Sequence, residues 1–427
     1  MLINKIHLSN FKNFEDVEVD LSDMNVIVGA NASGKTNFIE ALQFIKDIKD
    51  FGIENAFSLH GGIEYLQNIQ LKEKRSTVIE IHFQTDEGIS IESSYKNTLY
   101  LNINNIIYSL EIILSDSGSY EIQQESFRYK TELLDLISET PVLDEYEFEF
   151  ELLSKQGKIT FESSLDKDIT ITSKEKTIII KKEKISPIRV PIEFLTDNPN
   201  PYEKNKKRTL LEEYSFLIES DLFNFSIYDF DLKKAKNSAP IIGKTDLANN
   251  GENLTFIIKN ILSNQEKYRQ LANLLRDILP FIKGLNVERF YDKSLLLKVQ
   301  ETYNSNSEIP SSLLSDGTIS ITAIVIALFF ENKNLAIFEE PEHGIHPALI
   351  AKLIQLFYQA SKKKQVIITT HNPEILKHTR LEDLILILRK EDGFANISKP
   401  AEKEMVKAFL ENELGIDQLF IQNLLDA

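Results

Sequence analysis

The stretch Val26–Leu42, VIVGANASGKTNFIEAL, places Gly-x-x-x-x-Gly-Lys-Thr between an apolar run and a helix-like run. "MNVIVG" before it reads as a buried strand, and from Thr36 to about Ile48 the apolar residues Phe38, Ile39, Leu42, Phe44 and Ile45 recur at roughly helical spacing. A strand before and a helix after separate this motif from a chance Gly-rich turn. Gly29 and Gly34 let the backbone wrap a phosphate with successive N–H groups pointing inward. Lys35 adds a point charge for the β and γ phosphates, and Thr36 offers a hydroxyl to Mg²⁺. The candidate nucleotide-binding set is therefore Gly29, Ala30, Asn31, Ala32, Ser33, Gly34, Lys35, Thr36 and Asn37, at a helix N-terminus that faces the phosphates. Asn31 and Asn37 are polar neighbours with no assigned role.

Outward from this stretch, Leu2 to Asp20 alternates apolar and polar residues in two short runs around "SNFKNF", a hairpin pattern leading into the loop strand. Between about Thr77 and Glu183 the period falls to two, in "TVIEIHF", "TLYLNI", "EYEFEFE", "KITFESS", "DITIT" and "TIIIKK", which predicts an inserted antiparallel section. Within it Thr131–Glu151 carries eight acids and no base, whereas Lys174–Arg208 carries ten Lys or Arg against five acids. These charge runs are either solvated faces or an acidic partner surface and a basic patch. From Gly251 the pattern is helical, with a predicted break at Pro280. Helix-like "SITAIVIALFFEN" then precedes the buried run "LAIF", and "PALIAKLIQLFYQAS" precedes "QVIITT", an alternation that argues for a parallel sheet. The expected fold is α/β, a P-loop nucleotide-binding head with a mixed/parallel sheet, plus an inserted strand-rich region and a helical segment. The expected division is 1–75 and 251–427 for the head, with 76–250 inserted.

Composition bounds the function classes. With 42% hydrophobic residues over 427 positions, the chain has core enough for two or three domains. Its N-terminus "MLINKIHLSNFKNF" lacks a signal-peptide core and no apolar run reaches spanning length, so the expected location is cytoplasmic, with no membrane partner. Zero cysteines exclude disulfides, thiolate zinc sites and cysteine nucleophiles, and the seven His are scattered, so a metal is expected to arrive with the nucleotide. A net charge of −17 disfavours DNA as a partner without closing that option.

A phosphate loop alone binds, so hydrolysis calls for acids at the end of a buried strand. "LAIFEEPEHGIHP" supplies Glu339, placed to hold Mg²⁺ with Thr36, and Glu340, placed to act as general base on the attacking water. One strand later "IITTHNPEIL" puts His371 at a strand end, where it can sense a γ-phosphate. "LLSDGT", Leu313–Thr318, opens a helix at Ser315 and Gly317, which suits a phosphate at a helix start. Taken alone, each of the last three is also a common strand end, cap or turn.

In this order, "GANASGKT", "LLSDGT", "LAIFEEPEHGIHP" and "TTHNPE" resemble the Walker A, signature, Walker B with D-loop, and switch-histidine motifs of ABC-type ATPases. Within these the resemblance is to the RecF and SMC group and to the standalone AAA-like ATPases of bacterial overcoming-lysogenization-defect and antiphage-defence systems. It covers roughly residues 1 to 70 and 250 to 427. The resemblance implies ATP and Mg²⁺ as cofactors, Glu339 as the metal acid, Glu340 as the base and His371 as the switch. It makes Leu314, Ser315, Asp316, Gly317 and Thr318 a signature that reaches the ATP of a second subunit, and hence implies a head-to-tail homodimer. Two residues depart from the family pattern: Glu339 stands where Asp is usual, and Asp316 stands where Gly is usual and is expected to point away from phosphate. Gln67 and Gln70 are candidates for the family's Q-loop.

No heptad array implies an SMC arm, and the tail after His371 is too short for an appended toprim nuclease. Asp229 and Asp231 in "YDFDL" offer a metal-nuclease alternative on an expected strand. Three functions remain open: a defence switch controlling a nuclease or toxin encoded nearby, a RecF-like DNA repair or DNA-end-sensing ATPase, and a non-hydrolysing assembly scaffold.

Overall fold

The computed structural model describes residues 2–68, 75–84, 100–114, 119–134, 147–155, 158–163, 169–173, 176–180, 209–213, 222–290, 293–412 and 414–426. By internal contacts the chain forms two compact units. One comprises Met1–Leu21, Asn37–Phe223 and Arg389–Asn396; the other comprises Ser22–Thr36, Asn224–Leu388 and Ile397–Ala427.

The first unit is built on antiparallel strands in the order Phe14–Asp20, Leu2–Phe11, Thr77–Gln84, Tyr100–Leu114, Tyr120–Leu134, Glu147–Lys155 and Lys158–Ser163. The first pair is a hairpin that closes at Phe11 opposite Phe14. Thr77–Gln84 alternates between buried residues and half-buried or exposed ones, as a strand with one face on a core must. The apolar stripe of the helix Lys35–Phe51 supplies that core: Phe44 meets Phe57, which meets Tyr120 at 4.7 Å between ring centroids. Gln67 lines a small cavity here with Phe11, Phe44 and Ile112, and Gln70 lies outside the described residues. The basic stretch Lys174–Arg208 also lies outside them, apart from the strand Lys176–Ile180, as does 135–146 of the acidic stretch.

The second unit holds five parallel strands in the order Phe225–Tyr228, Leu335–Glu339, Gln365–Thr370, Met24–Val28 and Leu384–Arg389. All are apolar runs, and Met24–Val28 and Gln365–Thr370 are buried at every residue, as strands covered on both faces require. The helices Asp316–Phe329 and Ile350–Ser361 supply cover. Register sets Thr370 beside Val28 and Glu339 beside Thr369, so three strands end together at one carboxyl edge. Among the described residues no helix is long and apolar enough to cross a membrane.

Two local expectations are corrected. The helical segment after Gly251 ends at Ile278, just before Pro280 as expected, with an additional break at Ser263–Asn264, where Asn264 caps a second helix, Gln265–Ile278, by accepting from Glu266 and Lys267 N–H. It is followed by an antiparallel set, Ile282–Arg289, Ser294–Glu301 and Asn304–Pro310, that the helical reading missed. The strand holding "YDFDL" ends at Tyr228, and Asp231 caps the helix Leu232–Lys236 through Lys233 and Lys234 N–H. Its carboxylate is thus committed to a helix start.

In the first unit Glu125 is 1% exposed. It accepts from Tyr108 Oη at 3.0 Å, Leu210 N at 2.5 Å and Leu211 N at 3.1 Å. Burial pushes its pKa from 4.5 up to about 8 against the pull of those three donors. The folded carboxyl thus holds a proton that the unfolded one has lost. Its contribution to stability is full below about 4.5 and is lost as pH rises through about 8. Unfolding free energies from denaturant titrations at a series of pH values should fall over that window by up to about 1.4 kcal/mol per pH unit, and Glu125→Gln should flatten the fall. Glu125→Ala should destabilise at every pH, by roughly 1–3 kcal/mol for each donor left unpaired.

Candidate active site

The phosphate loop begins where Met24–Val28 ends. Gly29 stands there for lack of room: a Cβ would collide with the Ile387 carbonyl oxygen on the neighbouring strand and lie 2.6 Å from Ser33 Oγ. Ala32 and Gly34 both take positive φ, 61° and 122°, the left-handed backbone that a tight phosphate-cradling turn requires. Ala30, Asn31 and Ala32 are exposed on the loop surface. Asn37 is occupied elsewhere, its amide donating to Asn13 Oδ1 at 2.7 Å in the first unit.

Lys35 is 7% exposed, and its ammonium donates to the carbonyls of Gly29 and Ala30 at 2.9 and 3.0 Å. An ammonium has three donors, so one remains for a ligand. Burial lowers the pKa of Lys35, opposed by Glu340, Glu342 and Glu339. A buried cation held only by carbonyl dipoles fits an anionic phosphate, which restores what desolvation removes.

Thr36 Oγ1 donates to Glu339 Oε2 at 3.1 Å, bringing together residues 303 apart in the chain. A hydroxyl and a carboxylate at that spacing are the hard oxygen pair that Mg²⁺ takes beside phosphate oxygens and water. Glu339 reaches the threonine despite being one methylene longer than the usual aspartate.

Glu340 is the next residue, and its backbone is left-handed, with φ 42°. Such a conformation costs a non-glycine residue about 1 kcal/mol or more and persists where neighbours enforce it. Here Glu340 N still donates to Thr369 O at 3.0 Å, while the twist turns the side chain toward the next strand. Its Oε1 lies 2.7 Å from His371 Nδ1, and both side chains are about two-fifths exposed. Lys35, Thr36, Glu339, Glu340 and His371 therefore share the carboxyl edge of three adjacent strands.

The segment Leu314–Thr318 forms the start of the helix Asp316–Phe329. Ser315 is its N-cap, with Oγ accepting from Thr318 N at 3.2 Å and 2.8 Å from Thr318 Oγ1, and Leu314 is buried. Asp316 is turned to Lys236, whose ammonium meets Oδ1 at 2.5 Å. Gly317 packs backbone to backbone against Gly344, in the turn beyond Glu342: a Cβ on Gly317 would stand 3.0 Å from the Gly344 carbonyl oxygen. Sequence reading missed Lys236, since its partner lies 80 residues on. Glu342 is buried against Thr370, a contact between residues 28 apart that no motif in the sequence signals.

A sequence model of the family described as "AAA domain, putative AbiEii toxin, Type IV TA system" matches residues 24–377. The chain is similar to the ATP/GTP phosphatase of Helicobacter pylori (strain ATCC 700392 / 26695), 20% identical over 404 residues that cover 93% of this chain and 91% of that protein. It is 45% identical over 58 residues to endonuclease GajA of Bacillus cereus (strain VD045), covering 13% of this chain and 10% of that one. It is 46% identical over 46 residues to the DNA replication and repair protein RecF of Streptococcus agalactiae serotype Ia, covering 10% of this chain and 12% of that one. The chain thus spans about a tenth of the last two relatives. Among solved structures, the SMC head bound to the C-winged helix domain of ScpA shares the fold, with a TM-score of 0.51 at 14% identity, covering 93% of this chain and 98% of that one.

The packing of Gly29 makes a specific expectation. Gly29→Ala should displace the loop or the Ile387 strand at a cost of about 1–3 kcal/mol, and should weaken nucleotide binding well beyond that loss of stability. Thermal melts with and without nucleotide check both parts.

Proposed function

The chain belongs to this AAA-domain family, within the ABC-type, RecF- and SMC-like ATPases, and from that premise we propose that it is a Mg²⁺-dependent ATP-hydrolysing switch. It works in the cytoplasm as a head-to-tail dimer and controls a protein effector, a nuclease or toxin, in bacterial antiphage defence. The observation that carries the catalytic part is the convergence of Lys35, the Thr36–Glu339 pair and the Glu340–His371 pair on one strand edge. The named activity of the Helicobacter relative supports nucleotide hydrolysis, and likeness to an endonuclease over a short stretch supports a nuclease effector. Segments 1–75 and 251–427 make up the head on this reading, and partner capture is assigned to 76–250.

Each residue then has a defined task. The loop amides and the third N–H of Lys35 hold the β and γ phosphates. Thr36 and Glu339 would hold Mg²⁺, which when bound would neutralise charge on the phosphate oxygens. Glu340 takes a proton from the attacking water as its oxygen bonds to the γ-phosphorus and the bond to the bridging oxygen breaks, the electron pair leaving with ADP. His371, bonded to Glu340 through Nδ1, has Nε2 left to meet the γ-phosphate. Ser315 and the amides at the start of Asp316–Phe329 meet the γ-phosphate of the other subunit, and Lys236 keeps the Asp316 carboxylate from opposing it.

Glu340→Gln retains size and hydrogen bonding but accepts no proton. It should bind ATP, lose phosphate release by at least about a hundredfold, and accumulate a dimer. Parent-like release would remove Glu340 from the role of base. In the same background Ser315→Arg should leave ATP bound to monomers and abolish the dimer in light scattering. ATP-dependent dimers that survive this change would overturn the sandwich arrangement.

A further inference from the structure

Glu342 lies two residues beyond Glu340, in a double turn where His343 N donates to Glu340 O and Ile345 N donates to Glu342 O, each at 3.0 Å. The turn folds its side chain inward, to 8% exposure. Oε1 accepts from Thr370 Oγ1 at 2.5 Å, and Oε2 is buried with no hydrogen-bond partner among the described residues. A buried carboxyl with one bare oxygen is costly, and an apolar residue of similar size would fill the space at less expense. Stability alone therefore does not account for it.

What Glu342 holds is more telling. Thr370 Oγ1 also accepts from Asn372 N at 2.9 Å, and Asn372 caps the helix Pro373–Leu376 by accepting from Glu374 N at 2.9 Å. The residues on both sides of His371 are thus tied to one hydroxyl, and that hydroxyl is fixed by Glu342. His371 in turn meets Glu340 at 2.7 Å. We propose that Glu342 is a positioning residue for hydrolysis: through the Thr370 hydroxyl it fixes the backbone on either side of His371 and so holds the imidazole against Glu340. The proposal rests on the reading of Glu340 as base and His371 as its partner.

Burial raises the pKa of Glu342, the Thr370 hydroxyl and the Glu342 backbone N–H lower it, the neighbouring Glu340 carboxylate raises it further and His371 lowers it; Lys35 also feels its charge.

The test is steady-state phosphate release by the full chain, across a range of pH, for Glu342→Gln, Glu342→Leu and Thr370→Val, with melting and ATP binding measured alongside. Glu342→Gln keeps a neutral acceptor in place and should retain kcat within about threefold, with the parent's pH profile. Glu342→Leu and Thr370→Val should lose about 10- to 100-fold in kcat with KM for ATP unchanged, the scale of a misplaced catalytic group. Should Glu342→Leu fail to fold, the isosteric Thr370→Val carries the test. Parent kcat in Thr370→Val, a pH profile shifted by Glu342→Gln, or Glu342→Gln as impaired as Glu342→Leu would each overturn the proposal. Glu340→Gln separates it from its premise: parent-like turnover there overturns both, whereas loss there with parent-like turnover in Thr370→Val overturns the positioning role alone.

Discussion

The Thr36–Glu339 hydrogen bond joins the first motif of the chain to one that follows 303 residues later, and it exists only because two parallel strands end at the same level. Parallel strands cannot be joined by tight turns, so each must be delivered by a long crossover. The register that puts Thr370 beside Val28 and Glu339 beside Thr369 therefore does more than pair backbone groups. A slip of one residue would turn Glu339 to the opposite face and part it from Thr36. The continuous burial of Met24–Val28 and Gln365–Thr370 resists such a slip, since neither strand has a polar face to trade.

On that edge charge is arranged in a consistent way. A desolvated lysine rests on carbonyls of its own loop, and three glutamates lie near enough to oppose the effect of its burial. The carboxylates differ by environment: Glu339 bonds a hydroxyl, Glu340 reaches a half-exposed histidine from a left-handed backbone, and Glu342 is folded out of solvent. Three residues of one type within four positions thus stand in three electrostatic settings.

The parts legible in the sequence were those that repeat a local physical pattern. Apolar runs named Met24–Val28, Leu335–Glu339 and Gln365–Thr370, and the residues just past their ends named Lys35, Thr36, Glu339, Glu340 and His371, which the fold brings to one edge. Features set by partners distant in sequence were hidden. Asp231 read as a strand acid because its capping of Leu232–Lys236 depends on where the preceding strand stops. The set Ile282–Pro310 was lost behind a helical pattern, since its pairing lies between strands and each strand alone is weakly patterned. Lys236 could not be connected to Asp316, nor Glu342 to Thr370, without the tertiary structure.

The glycine pair has a mechanical meaning. Between most packed elements lie side chains that rotate or yield, and they take up small movements as springs do. At Gly317 there is none: a methyl group there would stand 3.0 Å from the Gly344 carbonyl oxygen. The turn after Glu340 and the start of Asp316–Phe329 consequently form a stiff joint. A small displacement of one has no compliant layer in which to dissipate, and it arrives at the other as translation.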